Sequence, residues 1–283
     1  MSENGLISHT ALGFEFILES YGVRVGIKAS SRELLNKAEQ TATKALLGKL
    51  EIIDFAEVDH SFSIFEDPAG TIFLDLNGER ITNDSVEQRF FRFFDSFLRI
   101  TIAEHARGRV FIHAGVVGWR DKAVVIPANS FRGKTTVVAE LVRNGAEYYS
   151  DEYAILDSDG LVHAFPRDLT MRYFDGEVRE RAVAPQSVGG KIGSKPIPIG
   201  MVLLTEYAEN AVWNPQKLTV GQGIIEMIPH TIPRRFNTEF SLKVLNRAVS
   251  DAIILKSPRG EAADFAIEIL NFFDNYLNLA RIT

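Results

Sequence analysis

Residues 128–135 read Ala-Asn-Ser-Phe-Arg-Gly-Lys-Thr. Apart from Ala128 in the first position, they fit G-x-x-x-x-G-K-[ST], the pattern of a phosphate-binding loop (Walker A, or P-loop). The flanks fit as well. The apolar run Ala123-Val124-Val125-Ile126 leads in as a strand, and residues 136–144 lead out as a helix that Gly145 is placed to end. A tight turn between strand and helix points backbone N–H groups inward, and the helix N-terminus adds partial positive charge. The candidate binding residues are therefore Ala128, Asn129, Ser130, Phe131, Arg132, Gly133, Lys134, Thr135 and Thr136. Lys134 is expected to reach β- and γ-phosphates, and Thr135 to offer its hydroxyl to a magnesium ion. Ala128 requires an ordinary φ where glycine is favoured, and Pro127 fixes the strand exit. Phe131 and Arg132 should point outward, with Arg132 in reach of phosphates or a substrate.

A phosphate loop that transfers its cargo needs a metal partner and a base, and both belong at the tip of a neighbouring strand. Asp151 and Glu152 stand at the end of the next strand-like run. One can hold magnesium and the other can take a proton from an incoming hydroxyl. Successive strand residues face opposite ways, so the division between the two stays open. His113, in an apolar strand before the loop, is either structural or a residue that orients the base or touches a phosphate. Arg167 and Arg172 are either phosphate clamps or surface arginines. Lys191 and Lys195 lie in residues 185–200, which are rich in Gly, Lys and Pro and read as a mobile loop. No other catalytic pattern is present, and the histidines lack metal-ligand spacing.

With 283 residues and 46% hydrophobic content, the chain can build one large core or two small ones. A net charge of −6 argues against nucleic acid as a partner. With no cysteine, disulfides, thiolate metal sites and cysteine nucleophiles are excluded, which suits a cytoplasmic location. Residues 1–9 carry no signal-peptide core, and no apolar run is long enough for a membrane span.

Residues 1–108 read as a small α+β domain. Strands are expected at 14–18, 23–27, 60–65 and 71–76, with helices over 30–49 and 85–107. Ser30 and Glu33 read as a capping box, and Val86, Phe90, Phe94, Phe97 and Leu98 as a core stripe. Residues 109–283 read as the catalytic domain. It should contain strands at 110–119, 123–127, 147–150, 153–156, 161–165, 201–204 and 251–256, and a closing helix at 261–276. Strand–helix alternation around the loop argues α/β, and the hairpins make the sheet mixed.

Residues 111–172 resemble the bacterial HPr kinase/phosphorylase family, in particular its shorter HPr-kinase-like relatives. The resemblance is carried by His113-Ala114-Gly115-Val116-Val117, the loop itself, Glu140 to Gly145, Asp151-Glu152 and Phe165-Pro166-Arg167. It implies a fold like the HPr kinase catalytic domain, akin to phosphoenolpyruvate carboxykinases. It also implies ATP, magnesium and phosphoryl transfer to a serine-type hydroxyl of a peptide, protein or small molecule. On this resemblance Asp151 is the proton acceptor, Glu152 the second acidic residue, His113 an assisting residue, and Lys134 and Thr135 the phosphate and magnesium ligands. Ala128 stands where the family has glycine, Glu152 where it has aspartate, and Glu177-Val178-Arg179 only echoes its Glu-x-Arg-Gly signature. The alternative expectation is a non-catalytic nucleotide sensor on the same scaffold. Homo-oligomerisation is left open.

Overall fold

The computed structural model describes residues 13–54, 56–128, 133–174 and 176–280. The loop residues Asn129, Ser130, Phe131 and Arg132 lie outside the described residues, as do residues 1–9. Contacts divide the chain into two compact units, Met1–Arg107 and Gly108–Thr283.

The first unit is one six-stranded sheet with two helices. Its strands are β1 (Phe14–Ser20), β2 (Val23–Ala29), β3 (Glu51–Ile53), β4 (His60–Glu66), β5 (Ile72–Leu76) and β6 (Glu79–Asp84), ordered β3-β1-β2-β4-β5-β6. Only β2 and β4 run parallel. Helices α1 (Arg32–Ala45) and α2 (Glu87–His105) bury Leu34, Leu35, Phe90, Phe94 and Leu98 in one cluster with Leu18, Ile27 and Phe62.

Three expectations shift here. The cap of α1 is Ser31, whose hydroxyl accepts the Leu34 N–H at 3.2 Å. Glu33 therefore falls outside the capping-box position and pairs with Lys37 at 2.6 Å instead. That helix stops at Ala45 because Leu47 and Gly48 take left-handed φ values of 53° and 69°. Val86 precedes α2 and is exposed, so the core stripe begins at Phe90.

The second unit is α/β. Strand β7 (Arg109–Trp119) is followed by β8 (Lys122–Pro127), α3 (Lys134–Arg143), β9 (Glu147–Ser150), β10 (Tyr153–Asp157) and β11 (Leu161–His163). A hairpin of β12 (Leu169–Phe174) and β13 (Val178–Val183) comes next. The chain then builds β14 (Ile197–Leu204), β15 (Gln216–Leu218), α4 (Val220–Met227), α5 (Thr238–Val249), β16 (Ile253–Lys256) and α6 (Ala262–Ala280). The main sheet runs β11-β10-β7-β8-β14-β16-β15, with β9 also on β7. It is mixed: β8, β14 and β16 are parallel, and β7 is antiparallel to β8.

Alternation along the central strands explains the layers. Val124 and Ile126 of β8, Met201 and Leu203 of β14, and Ile253 and Leu255 of β16 pack with α3 and α6. Val125, Val202 and Ile254 point the other way, into a second core with α4 and α5. Both faces are covered, so these strands read as continuous apolar runs.

Residues 185–200, expected as a mobile loop, are tied down. Pro185–Val188 forms a 3-10 turn. Lys191 O accepts the Tyr148 N–H at 2.7 Å, and Gly193 donates to Tyr148 O at 2.9 Å. The Tyr149 hydroxyl donates to Lys195 O at 2.9 Å. Backbone hydrogen bonds to a core strand outweigh the loop-like composition. Among the described residues, no helix is long and apolar enough to cross a membrane.

Candidate active site

The site is assembled by β7. One edge of this long strand pairs with β8 over 114–119. The other edge pairs with β10 over 109–113 and with β9 over 116–118. The chain steps from β9 to β10 beside the middle of β7, and Asp151 and Glu152 occupy that step. Ala114 donates to Glu152 O at 3.3 Å from the same place. The Ser150 hydroxyl, fully buried, accepts the Glu152 and Tyr153 N–H groups at 3.1 and 3.0 Å. It fixes the turn that holds both acidic residues.

Helix α3 begins at Lys134, with Gly133 before it at φ 78°. Two glycines allow this approach. Gly133 adopts a left-handed φ that other residues rarely take. Gly115 lies on β7 beneath the helix, where a Cβ would meet Val138 Cγ2 at 2.5 Å and Lys134 Cγ at 3.1 Å. The helix therefore lies close on β7, and Lys134 is held over the middle of that strand.

A cleft of about 400 Å³ opens here, lined in part by His113, Gly133, Lys134, Thr135, Thr136, Asp151 and Glu152. Thr135 Oγ1 donates to Asp151 Oδ2 at 2.7 Å. Asp151 Oδ1 is shut away from solvent and has no hydrogen-bond partner among the described residues. Burial pushes the Asp151 carboxyl up to about 6; Lys134 and the Thr135 hydrogen bond oppose the rise, and Glu152 adds to it. Lys134 is 8% exposed and forms no ion pair among the described residues. Burial lowers its pKa, with Asp151 and Glu152 acting against that. An unpaired buried ammonium beside a carboxylate oxygen without a partner forms an unfinished polar site.

The structure brings together His113, Gly133, Lys134, Thr135, Thr136, Asp151 and Glu152, all expected from the sequence. Ala128 lies to one side, 7% exposed, and its N–H points at His113 O at 3.4 Å. Arg167 and Arg172 do line the cleft. The Tyr148 hydroxyl donates to Arg167 O at 2.7 Å, and burial pushes its pKa upward. Arg172 pairs with Glu180 across β12–β13 at 2.7 Å. Lys195 lies at the far end of the β7–β8 hairpin, paired with Asp121 at 2.6 Å, and Lys191 does not line the cleft.

Sequence reasoning missed Ser150, Tyr148, Glu180 and Arg259. Glu180, not Glu177, enters the cleft, because the hairpin register sets it opposite Arg172. Arg259 is 3% exposed and donates from Nη2 to Gly133 O at 3.1 Å. Its signal was the Pro258-Arg259-Gly260 turn at the end of an apolar strand, where ligands of open α/β sheets gather. A second cleft, about 520 Å³, lies past Pro127 and Ala128 at the ends of β14 and β16.

A magnesium site can be tested on the donors present. Among the described residues, no group of three or more His, Cys, Asp or Glu is close enough to hold a metal. The cleft does present threonine hydroxyls and carboxylates, among them Thr135, Asp151 and Glu152, the hard oxygen donors that magnesium combines with nucleotide phosphates. The orphaned Asp151 Oδ1 fits such a use.

No family model matches the sequence. No curated protein matches it either. Among solved structures, the chain is similar to the Hpr(Ser) kinase/phosphatase from Coxiella burnetii, with a TM-score of 0.30 and 10% sequence identity. The match covers 60% of this chain and 98% of that one. This is a distant structural relationship, and the functional reading rests on the residues of the cleft themselves.

Proposed function

We propose that this chain is an ATP- and magnesium-dependent phosphotransferase that moves the γ-phosphoryl group to a serine-type hydroxyl of a peptide, protein or small molecule. The observation that carries the reading is the meeting of a buried, unpaired Lys134 at a helix start with an Asp151 carboxyl held near 6. A base with that pKa is ionised at neutral pH yet still basic enough to accept a proton.

In this reading Lys134 and the first N–H groups of α3 hold the β- and γ-phosphates. Thr135, with Asp151 or Glu152, would hold magnesium, which when bound neutralises charge on the phosphate oxygens. Asp151 takes the proton of the acceptor hydroxyl. The acceptor oxygen bonds to the γ-phosphorus, the bond from that phosphorus to the bridging oxygen breaks, and ADP leaves. Arg167 and the Arg172–Glu180 pair face the space where the acceptor would lie. The second cleft, continuous with Pro127 and Ala128, would take the base and ribose.

The test is ATP binding and turnover, with magnesium, in the native chain and in Lys134→Ala. The variant should lose at least about 100-fold in turnover, the scale of removing one charged group that stabilises transferring phosphate. Full turnover in Lys134→Ala would sink the proposal. One observation favours the alternative, a non-catalytic nucleotide sensor: the Ala128 N–H is spent on His113 O rather than left for a phosphate. ATP binding with no hydrolysis and no transfer to any acceptor would establish that alternative.

A further inference from the structure

Arg259 reaches Gly133, the residue before helix α3, from the end of β16. Its elements explain its place. It follows β16, which lies two strands from β8, and its backbone is tied to the extension of β14. The Arg259 N–H donates to Glu206 O at 3.0 Å, and Arg259 O accepts from Ala208 at 2.9 Å. The side chain then reaches Gly133. Nη1 donates to Gly260 O at 2.9 Å and Nη2 to Gly133 O at 3.1 Å. The guanidinium lies 5.6 Å over the Tyr207 ring. It packs so close to the loop that a Cβ on Gly133 would meet Nη2 at 2.5 Å.

Arg259 is 3% exposed and makes no ion pair among the described residues. Its Nε is buried with no hydrogen-bond partner there. Glu261, which acts on the Arg259 charge, makes no ion pair with it and accepts from the Tyr207 hydroxyl at 2.9 Å. A guanidinium can donate five hydrogen bonds in a rigid fork and stays charged when buried. Two neutral carbonyls leave both the charge and the Nε unanswered. The contact at Gly133 sets that charge beside the residue where phosphates would be cradled.

We infer that Arg259 is a phosphate ligand: on nucleotide binding its guanidinium, held at Gly133, supplies charge-assisted hydrogen bonds to a phosphate oxygen. This rests on the phosphotransferase reading, and adds a residue that the loop motif does not contain. A merely structural clamp would hold Gly133 in place without discriminating between phosphorylated and unphosphorylated ligands.

The experiment is calorimetric titration of the full chain and of Arg259→Gln and Arg259→Lys with magnesium–ATP, magnesium–ADP, pyrophosphate and adenosine, with thermal unfolding in parallel. The native chain should bind ATP, ADP and pyrophosphate. Arg259→Gln should weaken all three by at least tenfold and leave adenosine unchanged. Arg259→Lys should recover part of the loss, because it restores the charge without the fork. Equal weakening of adenosine marks a structural clamp and overturns the inference. So does unchanged affinity in a folded Arg259→Gln. If that variant unfolds, Arg259→Lys decides alone: native-like affinity for every phosphate ligand overturns the inference, and selective weakening supports it. A native chain that binds no phosphate ligand removes the phosphotransferase reading and this inference together.

Discussion

Arg99 in the first unit and Arg259 in the second are almost equally buried, at 8% and 3% exposure. Their surroundings differ in one respect. Arg99 meets Asp95 four residues back on the same helix, at 2.9 Å. Asp84, also buried, is gripped by Arg89 through two hydrogen bonds. In the first unit, these deeply buried charges have opposite charges as partners, so they act as parts of the scaffold. In the second unit Lys134 follows Gly133 and Arg259 donates to the Gly133 carbonyl, and neither has an ion-pair partner among the described residues. On the proposed reading, a ligand supplies the opposite charge there.

The largest effect that would test this contrast is at Asp151. Its carboxyl is raised from 3.8 to about 6, chiefly by burial. The folded chain therefore keeps a proton that the unfolded chain has already released. Ionising Asp151 costs stability progressively between pH ~4 and ~6, and at higher pH the cost is fully present, about 3 kcal/mol at 1.36 kcal/mol per unit. Asp151→Asn should lose about 100-fold or more in phosphoryl transfer. It should also gain about 1–3 kcal/mol of stability at pH 8, fading to nothing near pH 3, as read by urea unfolding. Native turnover should rise with pH through about 6. A pH-independent difference in stability between the two proteins would contradict the buried-charge account.

Next comes the paired arginine. Arg99→Met removes the ion pair with Asp95, itself only 16% exposed, and should cost about 1–3 kcal/mol in urea unfolding. Arg259→Met strands no carboxylate and should cost less. The reverse order would break the comparison between the two units.

Gly115→Ala places a methyl 2.5 Å from Val138 Cγ2. Helix α3 must lift away from β7, at a cost of about 1–3 kcal/mol. Because Lys134 moves with the helix, ATP affinity should fall in the same variant, measured by titration. Smallest of all, Lys195→Ala breaks an exposed pair with Asp121 and should leave stability essentially unchanged in urea unfolding. It should leave ATP binding untouched. A clear loss of nucleotide affinity there would restore the reading of residues 185–200 as a closing loop.

Much of the second unit was legible beforehand. The strand before the loop, the helix after it and the acidic pair are local features, and each depends on neighbours in sequence. The apolar run at 123–126 and the stretch at 251–256 were read as strands, and β8 and β16 stand there with both faces covered. Composition misled at residues 185–200, because Gly, Lys and Pro describe intrinsic preference and not the carbonyls and N–H groups of β9 that the segment meets. In the first unit a one-residue shift of the cap, from Ser30 to Ser31, was enough to remove the expected capping box.

By itself, the sequence determined that a strand, a lysine-bearing turn and a helix follow one another, and that two carboxylates come shortly after. Short-range steric and hydrogen-bond preferences suffice for that. Only the tertiary structure decided which distant groups join them. The register of β7 against β8, β9 and β10 sets Asp151 within 2.7 Å of Thr135. The pairing of β12 with β13 selects Glu180 over Glu177. The parallel placement of β14 and β16 beside β8 carries Arg259 to Gly133 across 126 residues of chain. Burial, which raises the Asp151 carboxyl and encloses Lys134 and Arg259 with no ion pair among the described residues, belongs to the packed layers and is written in no single stretch of sequence.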